Sequence, residues 1–339
     1  MVTDMAPGTP HRMNIVITGG AGFLGRRLAE TLLWRGSLRG ANGQTAAIRK
    51  ITLVDVVAAG GLSDGRLEQL TGDVADRQLL ERAITTETTS VFHLAAVVSG
   101  QAEANFDLGM RVNWDASKHL LEICRERETC PRVVFTSSVA VYGGDLPATV
   151  PDNLAVTPQT SYGTQKAMAE LLLNDYTRRG FVDGRALRLP TISVRSGRPN
   201  AAASSFASGI IREPLNGEES VCPVSAETRV WLLSPRTVTE CFIKAHDIDG
   251  AAIGSNRLLN LPGMSISVGD MVAALKRVAG ADVAARVRFV PEPRIEKMVA
   301  TWPGELAASR ARALGFPTDN DFDEIVRRYI AEAGITVVK

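Results

Sequence analysis

Gly19-Gly20-Ala21-Gly22-Phe23-Leu24-Gly25 joins an apolar run, Met13-Asn14-Ile15-Val16-Ile17-Thr18, to a segment with helical spacing from Phe23 to Arg35. Leu24, Leu28, Leu32 and Trp34 mark the apolar positions of that segment. A glycine-rich turn between a buried parallel strand and a helix opens a dinucleotide-binding unit. The three spaced glycines have separate tasks. Gly19 permits the tight turn, Gly22 lets backbone approach a pyrophosphate, and Gly25 lets helix and strand pack closely. Free N–H groups at the helix start, beside Phe23 and Leu24, supply the anion site.

Working outward, apolar runs at 13–18, 51–56, 68–72, 90–96, 132–137 and 185–190 alternate with helical patterns at 23–35, 76–84, 106–128 and 161–179. Such alternation predicts an α/β fold built on a doubly wound parallel sheet covered on both faces. Segment 36–50 is polar and glycine-rich and reads as a surface loop. Beyond residue 190 the pattern loosens: short strands at 229–233, 257–261 and 286–290 mix with helices at 204–213, 236–246, 267–279, 305–314 and 321–333. The expected division is a tail over 1–12, a nucleotide-binding domain over 13–190 and a smaller, interleaved substrate lobe over 191–339.

Composition excludes several classes. Apolar residues make up 45% and charged residues 22% of 339, with a net charge of +1, so no nucleic-acid or anionic-membrane partner is expected. No apolar run approaches the ~18 residues of a membrane span, and residues 1–12 have no apolar core of a signal peptide. Cys124, Cys130, Cys222 and Cys241 lack metal or redox spacing, which predicts reduced thiols in the cytoplasm and no metal site. His93, inside an apolar strand, reads as a core histidine.

The second strand ends at Asp55, where a carboxylate accepts hydrogen bonds from an adenosine ribose and repels a 2′-phosphate. Val56, Val57 and Ala58 follow it with no cation, so NAD is expected over NADP. Asp55 lies later after Gly25 than the usual interval of about 20 residues, and segment 36–50 accounts for the excess. Asp73 and Val74 follow the third strand and are expected at the adenine; alternatively Asp73 caps the next helix. Leu94, Ala95 and Ala96 end the fourth strand with small side chains and leave room for the cofactor.

Tyr162 and Lys166 are four apart in a helical segment, so they share one face. With four tyrosines and seven lysines in 339 residues, chance produces such a pair in only about 8% of chains. An ammonium close to a phenol favours phenolate and makes tyrosine a usable general base. The strand Val133-Val134-Phe135-Thr136-Ser137-Ser138 brings a hydroxyl to the ligand edge of the sheet, and strand parity allows only one of the two serines to serve. Asn113 is expected to bond backbone or water near Lys166.

Together, Gly19 to Gly25, Asp55, Gly72-Asp73-Val74, His93 to Ala96, Asn113, Thr136 to Ser138, Val141-Tyr142-Gly143 and Tyr162/Lys166 resemble the extended short-chain dehydrogenase/reductase superfamily of nucleotide-sugar epimerases and dehydratases. The resemblance covers about 13–330 and implies a Rossmann fold with NAD. It also implies Ser138, not Ser137, as the catalytic serine beside Tyr162 and Lys166, with Lys166 holding the nicotinamide ribose. Pro190, Thr191 and Ile192 match the family's nicotinamide-lining segment. Where nucleotide-sugar enzymes carry Arg-Asp-Tyr/Phe followed by Ile/Val-His-Val-Asp-Asp, this chain reads Arg229-Val230-Trp231-Leu232-Leu233-Ser234-Pro235-Arg236. That departure resembles a branch acting on short sugar acids and implies oxidation of a C2 hydroxyl of a four-carbon sugar acid. Arg195, Arg198, Arg212 and Arg236 are the carboxylate-binding candidates, and Ser99 and Ser138 are further donors. A nucleotide-sugar 4-epimerase and another small-substrate dehydrogenase, such as one for L-threonine, are the alternatives. The family resemblance also implies a homodimer through helices 106–128 and 161–179.

Overall fold

The computed structural model describes residues 12–197 and 202–336. The expected tail lies outside these residues except for Arg12, which begins the first strand. In chain order the strands are β1 (Arg12–Thr18), β2 (Ser37–Arg39), β3 (Thr45–Asp55), β4 (Leu67–Thr71), β5 (Ser90–His93), β6 (Arg132–Ser138) and β7 (Asp183–Leu189). They continue with β8 (Thr191–Ile192), β9 (Ser220–Cys222), β10 (Arg229–Leu233), β11 (Leu258–Asn260), β12 (Met264–Ser267) and β13 (Val287–Phe289).

The main sheet runs β11-β7-β6-β5-β1-β3-β2, with β4 also on β3. Its pairings are parallel except β2 on β3. Side chains of β1 alternate between two cores: Ile15 and Ile17 face Leu28, Phe92 and Phe242, whereas Val16 faces Val54, Leu120 and Val133. Burial of both faces explains why these strands read as unbroken apolar runs.

Segment 36–50 is not a loop. β2 and the first half of β3 form an antiparallel hairpin, closed by Gly40 N–H donating to the Gln44 carbonyl at 2.8 Å. Leu38, Ala46 and Ile48 are buried while Thr45, Ala47 and Arg49 are exposed, a period-two pattern masked by the short, polar composition. Asn42-Gly43 at the tip is the corresponding turn signal. Trp34, placed by spacing with the apolar stripe of helix Phe23–Arg35, is 89% exposed.

Two further differences position the site. β5 stops at His93, so Leu94 to Ala96 leave the sheet. Helix 106–128 runs continuously over Phe106–Arg127 but carries a π-helical turn over Met110–Asp115. Helix Ser99–Ala104, which the sequence pattern did not suggest, precedes it.

The second half returns to the first. β11 extends the main sheet, and helix Pro235–Asp247 contributes Val238, Phe242 and Ala245 to the same core as β1. A separate core around Ile210, Ile211, Met271, Leu275 and Val326 lies with the small sheets β12-β10-β8 and β13-β9. Among the described residues no helix is long and apolar enough to cross a membrane.

Candidate active site

A cleft of about 290 Å³ opens at the carboxyl ends of β1, β5, β6 and β7, the crevice where doubly wound sheets hold ligands. One end is the glycine loop. Gly19 has φ +71°, and a side chain there would lie 2.8 Å from the Ala95 nitrogen. A β-carbon on Gly25 would lie 2.1 Å from the Gly19 carbonyl oxygen, so turn and helix touch through backbone alone. Gly22 caps helix Phe23–Arg35 without a side chain, leaving first-turn N–H groups for an anion. Gly22, Phe23 and Leu24 all line the cleft.

Asp55 closes β3 beside this loop. Its Oδ2 accepts the Ala21 N–H at 3.0 Å, while among the described residues Oδ1 has no protein donor. Asp73 does not cap the following helix. Asp76 does, accepting from Gln78, whereas Asp73 accepts the Ala75 N–H at 2.9 Å and pairs with Arg111. Val74 is buried next to it.

The other end holds the hydroxyls and amine. Thr160 caps helix Ser161–Arg178 by accepting the Gly163 N–H at 3.1 Å, which places Tyr162 and Lys166 in its first two turns. Lys166 is 1% exposed, its Nζ 4.7 Å from the Phe135 ring centre and 5.8 Å from that of Tyr162. Burial pushes the ammonium down to about 7, opposed by the Glu170 carboxylate one turn on. The expected lowering of the Tyr162 phenol by Lys166 is corrected here. Burial pushes the phenol up to about 12, and the groups that pull it back are Ser138 and Arg195. Desolvation of the phenolate outweighs both neighbours while the cleft holds only protein.

The two serines at the end of β6 diverge, as strand parity requires. Ser138 faces Tyr162 and accepts the Ala140 N–H at 3.1 Å. Ser137 turns inward and donates to Glu170 at 2.5 Å. Glu170 also receives both arms of Arg188, at 2.9 and 2.7 Å, and Arg188 donates to the Tyr142 hydroxyl at 2.6 Å. This buried network joins β6, β7 and helix Ser161–Arg178. Sequence reading missed it, although Glu170 stands four residues after Lys166 on the same helical face.

Asn113 bonds backbone near Lys166, as the sequence suggested. Its side-chain oxygen accepts the Val97 N–H, and its NH2 donates to the Val97 carbonyl and to Gln165, the residue before Lys166, so it braces the cleft wall from behind. His93 is the core histidine expected. Ala95 N–H donates to Thr18 Oγ1, Thr18 meets His93 Nδ1 at 2.6 Å, and His93 Nε2 meets Ser117, which donates to the Asn113 carbonyl. Burial and the nearby Lys166 charge push its imidazole down to about 3, so it stays neutral.

Leu94, Ala96, Ser99, Pro190, Thr191 and Ile192 line the cleft as expected, and Ala95 backs the glycine turn. Ser204 and Trp302 complete the wall from the second half; no local pattern marked Trp302, whose place depends on the chain returning there. Of the three candidate arginines among the described residues, Arg195 alone lines the cleft. Arg212 pairs with Glu213 at 2.5 Å and donates to the Arg195 carbonyl. Arg236 is corrected: it sits exposed on helix Pro235–Asp247, paired with Glu240 at 3.0 Å. Arg198 lies outside the described residues. Arg229, the remnant of the nucleotide-sugar pattern, is exposed and bonds Ser265.

The chain is 59% identical over 323 residues to D-erythronate dehydrogenase of Cupriavidus necator, covering 95% of this chain and 99% of the relative. It is 45% identical to the D-erythronate dehydrogenase of Haemophilus influenzae, covering 94% and 99%. A crystal structure described as a nucleoside-diphosphate-sugar epimerase from Agrobacterium tumefaciens superposes with a TM-score of 0.90 at 42% identity, covering both chains fully. A model of the NAD dependent epimerase/dehydratase family matches residues 15–235. With the glycine turn, the parallel sheet and the Ser138, Tyr162 and Lys166 cluster in one cleft, the chain belongs to the NAD-dependent epimerase/dehydratase family.

Proposed function

We propose that this chain oxidises the C2 hydroxyl of D-erythronate, giving 2-dehydro-D-erythronate and NADH. One observation carries the reading: Ser138, Tyr162 and Lys166 meet in the cleft that the glycine loop closes at its other end. The near-full-length relatives acting on D-erythronate support the substrate.

The cleft fits NAD on its own donor set. The helix start at Gly22 to Leu24, with the close approach that Gly19 and Gly25 allow, takes the pyrophosphate. The free Oδ1 of Asp55 takes a ribose hydroxyl, and no cation follows it to accept a 2′-phosphate. Asp73 and Val74 would edge the adenine, Lys166 would hold the nicotinamide ribose, and Pro190 to Ile192 would flank the nicotinamide. Residues 13–190 thus mainly hold the nucleotide and supply Ser138 and Tyr162, while the second half adds Arg195, Ser204 and Trp302 to the substrate end of the cleft.

Tyr162 removes the proton of the C2 hydroxyl. Ser138 donates to the same oxygen, orienting it and stabilising the charge that develops there. NAD, when bound, accepts the hydride from C2 and brings a positive ring that lowers the phenol from its raised value. Tyr162 then passes the proton it has taken to solvent, which restores the base for the next turnover.

An epimerase acting on nucleotide sugars would need cations for a diphosphate. Arg229, the residue kept from the nucleotide-sugar stretch, faces solvent, bonded to Ser265. The test is steady NADH formation from NAD and D-erythronate, with UDP-sugars as control. Isomerisation of a UDP-sugar without net NADH would overturn the assignment. We also place the chain in the cytoplasm, where its free thiols stay reduced. A homodimer is expected through helices Ala116–Arg127 and Ser161–Arg178, on which Leu171 is 65% exposed.

A further inference from the structure

We propose that Arg195 anchors the substrate carboxylate and thereby selects the hydroxyl on the adjacent carbon for oxidation; this rests on the reaction assigned above. Arg195 lines the cleft with Ser99, Ser138 and Tyr162, yet among the described residues no carboxylate pairs with it. The buried arginines Arg188 and Arg212 are satisfied, by Glu170 at 2.7 Å and Glu213 at 2.5 Å, whereas Arg195 is only partly buried. Its electrostatic neighbour is another cation, Arg212. Two guanidinium groups against one carboxylate leave an excess positive charge in a largely desolvated place, a costly arrangement that an anionic ligand relieves.

The backbone of Arg195 is fixed on both sides. Its N–H donates to Ser208 at 3.0 Å, and its carbonyl accepts from Arg212 at 2.9 Å. A side chain with so firm a base holds a planar fork for two carboxylate oxygens, which a lysine cannot reproduce.

Position then sets regiochemistry. A 2-hydroxy acid carries carboxylate and hydroxyl on neighbouring carbons, so the groups that bind them must also be neighbours. Arg195 is the arginine whose charge the Tyr162 phenol feels. With C1 held there, the C2 hydroxyl meets Tyr162 and Ser138, and C3 and C4 point away towards the rest of the cleft. A substrate whose charge is remote from the oxidised carbon, such as a nucleotide sugar, has no use for a cation at this spot.

The experiment compares wild type, Arg195→Gln and Arg195→Lys on D-erythronate and on its neutral amide, with NAD affinity measured by calorimetry. The expected result is an Arg195→Gln KM for the acid raised about 100-fold. The preference for acid over amide collapses to about threefold or less in that variant, while the Kd for NAD stays within about twofold. Arg195→Lys recovers part of the loss because charge returns without the fork. An acid KM within about twofold of wild type, or equal losses on acid and amide, would overturn the anchor. Wild type that forms no NADH from D-erythronate overturns the assigned reaction instead. Calorimetric titration of D-erythronate into the NAD-bound protein then decides the anchor separately. Binding lost in Arg195→Gln retains it, and equal binding in both proteins removes it.

Discussion

At Tyr162 two physical effects oppose each other, and the balance decides the chemistry. Burial raises the phenol to about 12, while Ser138 and Arg195 favour its anion. Phenolate is therefore scarce at neutral pH, and oxidation must accelerate as pH rises. Bound NAD lowers the phenol from that value, so at saturating NAD kcat/KM should rise with pH from 7, by up to about tenfold per unit, and level off once the lowered phenol ionises. Replacing Ser138 with Ala removes a hydrogen bond to the charged form, so the limb should move to higher pH; a flat profile would exclude the phenol as base. Tyr162→Phe should lower kcat by about 10²–10⁴-fold with NAD binding intact, and near-normal turnover would remove Tyr162 from its role. At Asp55, substitution by Ala should narrow the NAD preference over NADP by about tenfold or more, since the carboxylate that repels a 2′-phosphate is gone. An unchanged ratio would mean that the ribose is read elsewhere.

Elements position these groups through their ends. β6 delivers Ser138, helix Ser161–Arg178 delivers Tyr162 and Lys166 from a Thr160 cap, and β5 ends early to clear the cleft. The turn between β1 and helix Phe23–Arg35 tolerates no side chain at Gly25, where a β-carbon would sit 2.1 Å from a carbonyl oxygen. Gly25→Ala should cost at least about 2 kcal/mol in denaturant unfolding and weaken NAD binding. A variant as stable as wild type, with unchanged affinity, would contradict this packing. The strand–turn–helix unit was legible because its glycines and apolar run are contiguous. The β2–β3 hairpin was not, because short strands with only Leu38, Ala46 and Ile48 buried look like a polar loop by composition.

Across the whole molecule, the buried Glu170–Arg188 pair ties helix Ser161–Arg178 to β7 and, through Ser137, to β6. Both side chains are at least 93% buried, so removing one partner strands a charge in low dielectric. Arg188→Ala should destabilise the fold by about 3–5 kcal/mol, read from denaturant unfolding. A loss below about 1 kcal/mol would show that the network is solvated and unimportant. Catalytic geometry and global stability thus share one set of contacts, joining three elements from distant parts of the chain.

Local sequence determined the nucleotide-binding turn, the parallel sheet and the Tyr162 and Lys166 pair, while the family resemblance chose Ser138 over Ser137. Each depends on spacing within one strand, turn or helix, where backbone geometry leaves few choices. Only the tertiary structure decided that Arg195 reaches the cleft while Arg236 pairs on the surface, that Asn113 supports the wall, and that Trp302 closes it. Which side chains meet across elements depends on burial and charge pairing between segments far apart in the chain, and one-dimensional spacing carries no record of that.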